Sequence, residues 1–144
     1  LGISMNEMIS LDSKYLVEIR LGENHEKVHA AWQDDTNEGF LICYDINLVF
    51  DDQTIFQVRP CEVEITGRYP GMALSLEKIE SVNCQSSFNA LCLPMKVEEV
   101  IQNDYLGEGA VNEITLGLVN KSRIIIRHVF PPMTMGVKLE QKNA

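Results

Sequence analysis

Apolar and polar positions alternate with a period of two through much of this chain. Ile46, Leu48 and Phe50 are each separated by one residue, and Ile55–Val58 resume after Asp51-Asp52-Gln53. The same layout returns later. Ile114, Leu116 and Leu118 alternate, Asn120-Lys121-Ser122 interrupt, and Arg123–Arg127 resume. Alternation either side of a turn rich in Asp and Asn predicts a β-hairpin at each place. An earlier strand is predicted over Tyr15–Leu21 and another over 88–93. An aromatic-Pro step, Tyr69-Pro70 or Phe130-Pro131, leads into a last strand at Met72–Leu76 or Met133–Leu139. Proline there suits a strand's first residue or an edge.

The recurrence extends to identities. Lys27–Asp35 (KVHAAWQDD) matches Lys96–Asp104 (KVEEVIQND) at an offset of 69. Ile46–Arg59 matches Ile114–Arg127 at 68, and Tyr69–Leu74 matches Phe130–Met135 at 61, so the first copy carries about seven extra residues near Cys61–Gly67. Three blocks in one order point to a diverged duplication. The Lys-Val blocks are ambiguous. Val28, Ala31 and Trp32, like Val97, Val100 and Ile101, fall at i, i+3 and i+4, which is helical spacing. Each block is short, and a strand or a single helical turn is favoured. Trp32 reads as a core anchor, because Ile101 is its counterpart.

The expected fold is mainly β: all-β, or α+β with short helices. Residues 1–144 form one domain of two tandem meander units, about 11–77 and 86–140. The units pack with pseudo-twofold symmetry as a sandwich or partly closed barrel, each covering the other's apolar face. Leu1–Ser4 precede Met5 and read as a cloning remnant.

Composition leaves this picture intact. With 144 residues, 45% of them apolar and 23% charged, the chain can build a core without metals or disulfides. The longest uncharged apolar stretch, 81–95, is broken by Asn83, Gln85, Ser86, Ser87 and Asn89, so no spanning helix is predicted. Cys43, Cys61, Cys84 and Cys92 lack the close pairing typical of zinc sites and read as reduced thiols of a cytoplasmic protein, although their even number leaves a disulfide open.

Charge narrows the choice of partners. The net charge is −9, with thirteen acids against five bases in residues 1–72 and eight against seven in 73–144. Such a field disfavours nucleic acid and anionic membrane and favours a basic protein. The first copy offers Asp34, Asp35, Glu38, Asp45, Asp51 and Asp52 in or near loops, where the second copy has residues such as Gly109, Asn120 and Lys121. The repeat therefore does not dictate the acid.

Two motifs suggest metals. His25-Glu26-Lys27-Val28-His29 has the spacing of a zinc-hydrolase helix, with two imidazoles on one face and a glutamate to activate water. Catalytic zinc needs a third ligand, and nothing selects among His128, Glu38 and Asp45. Pro94 and Glu98 replace the two histidines in the second copy. Asp34, Thr36, Glu38, Gly39 and Asp45 partly imitate a calcium loop, but Thr36 and the strand-like flanks read instead as an acidic turn. There is no Gly-x-Ser-x-Gly elbow and no glycine-rich phosphate loop. Phe130–Met135 is apolar enough for an interface, yet its twin at Tyr69–Leu74 makes it part of the fold.

The expected function is a non-enzymatic protein-binding module with the profile of a small bacterial immunity or inhibitor protein, masking a basic partner through the six carboxylates. It takes no cofactor. The alternatives are a zinc-dependent hydrolase built on His25, Glu26 and His29, and a structural or assembly subunit.

Overall fold

The computed structural model describes residues 11–21, 39–81, 86–87, 93–129 and 133–141. The Lys27–Asp35 block, Trp32, Phe88–Cys92 and Phe130–Pro132 lie outside them. The described chain is mainly β, with ten strands: β1 (Tyr15–Leu21), β2 (Leu41–Cys43), β3 (Ile46–Phe50), β4 (Ile55–Val63), β5 (Gly71–Ile79), β6 (Ser86–Ser87), β7 (Met95–Asn103), β8 (Glu113–Leu118), β9 (Arg123–Val129) and β10 (Thr134–Glu140). Nine run side by side and antiparallel in one open sheet, in the order β2-β10-β9-β8-β7-β1-β3-β4-β5, while β6 pairs with β1 off that path. The second Lys-Val block is strand β7 and not a helical turn. Among the described residues no helix is long and apolar enough to cross a membrane.

Both predicted hairpins form, and the same local chemistry closes them. Phe50 N–H bonds to Thr54 O at 3.0 Å, and Leu118 N–H bonds to Ser122 O at 2.9 Å. Asp52 Oδ1 accepts from Thr54 N at 3.0 Å, and Asn120 Oδ1 accepts from Ser122 N at 2.9 Å. Gln53 and Lys121 follow with φ of 70° and 73°. A short carboxylate or amide bonding two residues ahead is what makes Asp and Asn turn formers. A left-handed residue then completes a three-residue hairpin loop.

Each half also carries one irregularity at the same place. The β1–β3 register shifts between Leu16 and Glu18, and the β7–β8 register shifts between Val97 and Glu99. A bulge adds one residue to a strand and resets its alternation. Leu16 and Ile19, three apart, are consequently both buried. Strands β1 and β7 meet in the middle of the sheet, Tyr15 opposite Lys96 and Leu16 opposite Met95.

Strands also run past their predicted ends, as β4 and β5 do, or escape prediction, as β2 and β6 do. β4 continues through Pro60 and Cys61 to Val63. Proline removes a ladder donor, but the β3 ladder ends where Ile46 faces Val58, and on the other side Leu74 N–H turns away to Val111 O at 2.9 Å. Pro60 therefore breaks no ladder bond. The short edge strand β2, which the alternation did not single out, pairs with β10.

One buried cluster draws from both ends of the strand order: Leu16, Leu48, Phe50, Val58 and Leu74 with Val97, Leu116, Ile126 and Met135. Phe50 and Phe56 meet edge to face at 6.0 Å. The opposite face of the second half carries an ionic cluster. Arg127 gives Glu113 Oε2 two bonds, at 2.6 and 2.9 Å, while Asn103 Nδ2 holds Oε1 at 3.1 Å. The Arg127 guanidinium lies 4.3 Å from the rings of both Phe40 and Tyr105. Phe40 in turn rests where Gly136 lacks a side chain, since a Cβ there would come within 3.1 Å of the ring.

Candidate functional site

The six predicted partner-binding carboxylates divide three ways. Asp34, Asp35 and Glu38 lie outside the described residues, as do His25, Glu26 and His29 of the zinc motif. Asp45 stands before β3, and Asp51 and Asp52 stand after it. Asp45 and Asp51 flank the five residues of β3, six extended steps or about 20 Å apart. The described acids are thus at opposite ends of one strand. Asp45 Oδ2 accepts from Gln57 Nε2 at 3.3 Å. Asp52 is occupied by its own turn. Its carboxylate accepts from Lys14 Nζ, and from the Thr54 hydroxyl at 2.5 Å. Lys14 first, and then Thr54, hold the Asp52 carboxyl well below the usual carboxylate range. Asp51 remains exposed at the hairpin tip.

A different set of carboxylates converges. A surface depression of about 440 Å³ is lined by Glu98, Glu99, Gly117, Lys121, Arg123 and Glu140, among others. Regular alternation would send Glu98 and Glu99 to opposite faces of β7. The bulge at this point makes Glu98 the extra residue, and both side chains line the depression. Gly117 forms part of its lining, and a Cβ there would lie 3.0 Å from Glu99 Cγ. Arg123 Nη2 donates to Glu140 Oε1 at 2.5 Å, with Lys138 Nζ 3.9 Å from the other oxygen. That hydrogen bond from Arg123 lowers the Glu140 pKa, so its negative charge is held in place. Glu98 and Glu99 are exposed.

The β1–β3 and β4–β5 pairings carry different residues at matching register positions. Where Glu99 faces Gly117, Glu18 faces Val49. Where Arg123 faces Glu140, Ile55 faces Ile79. Val17 occupies the bulge where the second half has Glu98. A bulge and a turn occur in both sets of strands and Glu18 matches Glu99, while the glycine, the second carboxylate at the bulge and the Arg123–Glu140 pair occur only beside β7.

In the sequence Glu98 stands only where His29 would align in the repeat. A signal was present in Lys96-Val97-Glu98-Glu99-Val100, where two successive acids interrupt a strand's alternation. His128, weighed as a zinc ligand, has both ring nitrogens engaged, by Ala73 O and Met133 N. Among the described residues, no group of three or more His, Cys, Asp or Glu side chains is placed to hold a metal ion. Cys43 is buried, and burial, with Asp45 nearby, pushes its thiol far above the ordinary range.

Compared with protein-family models, with curated proteins and with solved structures, the chain matches none.

Proposed function

We propose that this protein is a non-enzymatic binding module for a basic protein, and that the Glu98–Glu99 bulge is where a lysine or arginine of the partner seats. The observation that carries the reading is the convergence of two adjacent carboxylates on one depression floored by a glycine. A cationic side chain entering there meets two exposed carboxylates, and although Lys121 and Arg123 also line the depression, with Glu140 its lining keeps a net negative charge; charge complementarity governs encounter rate and partner choice. Asp51, exposed at the far hairpin, adds to the long-range field.

We further propose that the scaffold is a tandem pair of four-strand meanders, β1-β3-β4-β5 and β7-β8-β9-β10, related by a pseudo-twofold axis between β1 and β7. Matching hairpin bonds and matching bulges support this. On this reading β1, and not the 27–35 block, is the counterpart of β7. The bonds from β5 to β9 and to residue 111 support closure toward a sandwich or partly closed barrel.

The test uses a lysine- and arginine-rich peptide as probe. Reversing Glu98 and Glu99 to Lys changes the net charge as much as reversing Glu62 and Glu64. The bulge pair should weaken peptide binding about tenfold more than the control pair, in line with the cost of breaking close charge pairs. Equal losses would reduce the effect to net charge and refute the site.

A further inference from the structure

His128 lies on β9 with no solvent exposure, and it joins three parts of the molecule. Its backbone N–H donates to Asn112 O at 2.9 Å. Its backbone carbonyl accepts from the Tyr105 hydroxyl. Its ring spans from Ala73 of β5 to Met133, the residue before β10: Nδ1 is 2.7 Å from Ala73 O, and Met133 N is 2.8 Å from Nε2. β5 and β9 are not neighbours in the strand order, so the ring crosses between strands that no ladder joins.

The partners fix the tautomer. A carbonyl only accepts, so Nδ1 carries the proton and donates to Ala73 O. A peptide N–H only donates, so Nε2 must be a bare lone pair. The neutral ring satisfies both. An imidazolium cannot: its Nε2–H would point at the Met133 N–H, donor against donor, while Nδ1–H would still serve Ala73. Met133 has φ of 72°, a left-handed conformation unusual for a residue with a side chain, and its side chain is half exposed. Such a conformation persists only where neighbouring bonds impose it, and the bond to His128 is one of them.

The surroundings set when this happens. Burial lowers the ring's pKa, opposed by the bond to Ala73 and by the charges of Glu108 and Glu62. Glu108 is itself engaged, accepting from Met72 N at 2.6 Å and lying 3.9 Å from Arg68. Residues 71–76 of β5 carry no ionisable side chain. On β9, Arg127 is committed to Glu113. The Tyr105 hydroxyl donates to the backbone carbonyl of His128.

We infer that His128 is a pH-operated latch: protonation of its ring releases the turn at Met133 while the ring stays tied to Ala73. This is independent of the cationic-partner reading, since none of its atoms lines the depression. Acidification then frees one strained, half-exposed methionine at the start of β10 without separating β5 from β9.

The test is a titration of the isotopically labelled protein followed by NMR. His128 Nε2 reports protonation, and exchange of the Met133 amide, corrected for intrinsic pH dependence, reports the turn. Met133 protection should fall about tenfold, the worth of one hydrogen bond, along the same curve as His128 protonation. In His128→Gln the side-chain amide can donate to Ala73 and accept from Met133 without titrating, so protection should be flat over the same range. Met133 protection that stays constant while His128 protonates overturns the proposal. So does a ring that stays neutral until the whole chain unfolds, or a Gln variant that loses protection as the wild type does. If the Gln variant does not fold, the two wild-type curves decide the matter alone.

Discussion

Replacing Gly117 by Val separates the scaffold from the site. Gly117 is in the interior of β8, where a glycine costs roughly 0.5–1 kcal/mol relative to alanine because the unfolded chain has more freedom to lose. Valine adds strand preference on a scale spanning about 1 kcal/mol. Against this stands one close approach, since the new Cβ would lie 3.0 Å from Glu99 Cγ. Glu99 is exposed, so its side chain can rotate away at a cost of a few tenths of a kcal/mol. The first half demonstrates the arrangement, with Val49 opposite Glu18. The net expectation for Gly117→Val is stabilisation by about 1 kcal/mol, a rise in Tm of about 3 °C for a chain of this size, read by calorimetry. The introduced isopropyl group would at the same time fill the floor of the depression, and affinity for a cationic peptide should fall about tenfold. A variant that loses more than about 1 kcal/mol would show that β8 needs the glycine for its own packing. Unchanged peptide affinity in a folded variant would refute the depression as the binding site.

Other outcomes follow from the same geometry. Glu113→Ala leaves Arg127 between two rings without its carboxylate. With side-chain exposures of only 10% and 16% for the pair, the loss should be about 3 kcal/mol in urea unfolding, and a loss under about 1 would mean solvent replaces the bond. Leu116→Ala, fully buried, should cost about 2–5 kcal/mol; a smaller loss would mean the core collapses around it. Stability should also depend on pH through His128. Its pKa is lowered from 6.5 in the fold, so the folded state binds fewer protons below that value, and stability present above pH 6.5 declines as pH falls toward the folded pKa. Urea midpoints at pH 7.5 and 5 should differ in the wild type and less so in His128→Gln. Cys43 should resist a thiol reagent in the native protein and react on unfolding, because its thiolate is suppressed by burial; rapid native labelling, followed by peptide mapping, would contradict the packing.

Local chemistry made much of the fold legible in the sequence. Asp52 and Asn120 each bond two residues ahead, so both hairpins follow from residues in immediate succession. Ile46, Leu48 and Phe50, and likewise Ile114, Leu116 and Leu118, declare their core face by period alone. The length of β4 was less legible, because Pro60 reads as a stop until the end of the β3 ladder is known.

Charge alone does not say whether the acidic loops share a face, and β3 sets Asp45 and Asp51 at its two ends. Glu98 and Glu99 converge because the β7–β8 register slips by one residue, and register is set by two strands together. His128 depends on chain still more distant. Its acceptor, Ala73, lies 55 residues away on β5, and no short-range pattern encodes that meeting. Periodicity and turn chemistry act over a few residues, so the sequence determined β1 and the two hairpins but not β2 or the full length of β4. Pairing register and contacts across the sheet join segments far apart in the chain, and only the tertiary structure decided which charges meet and which proton matters.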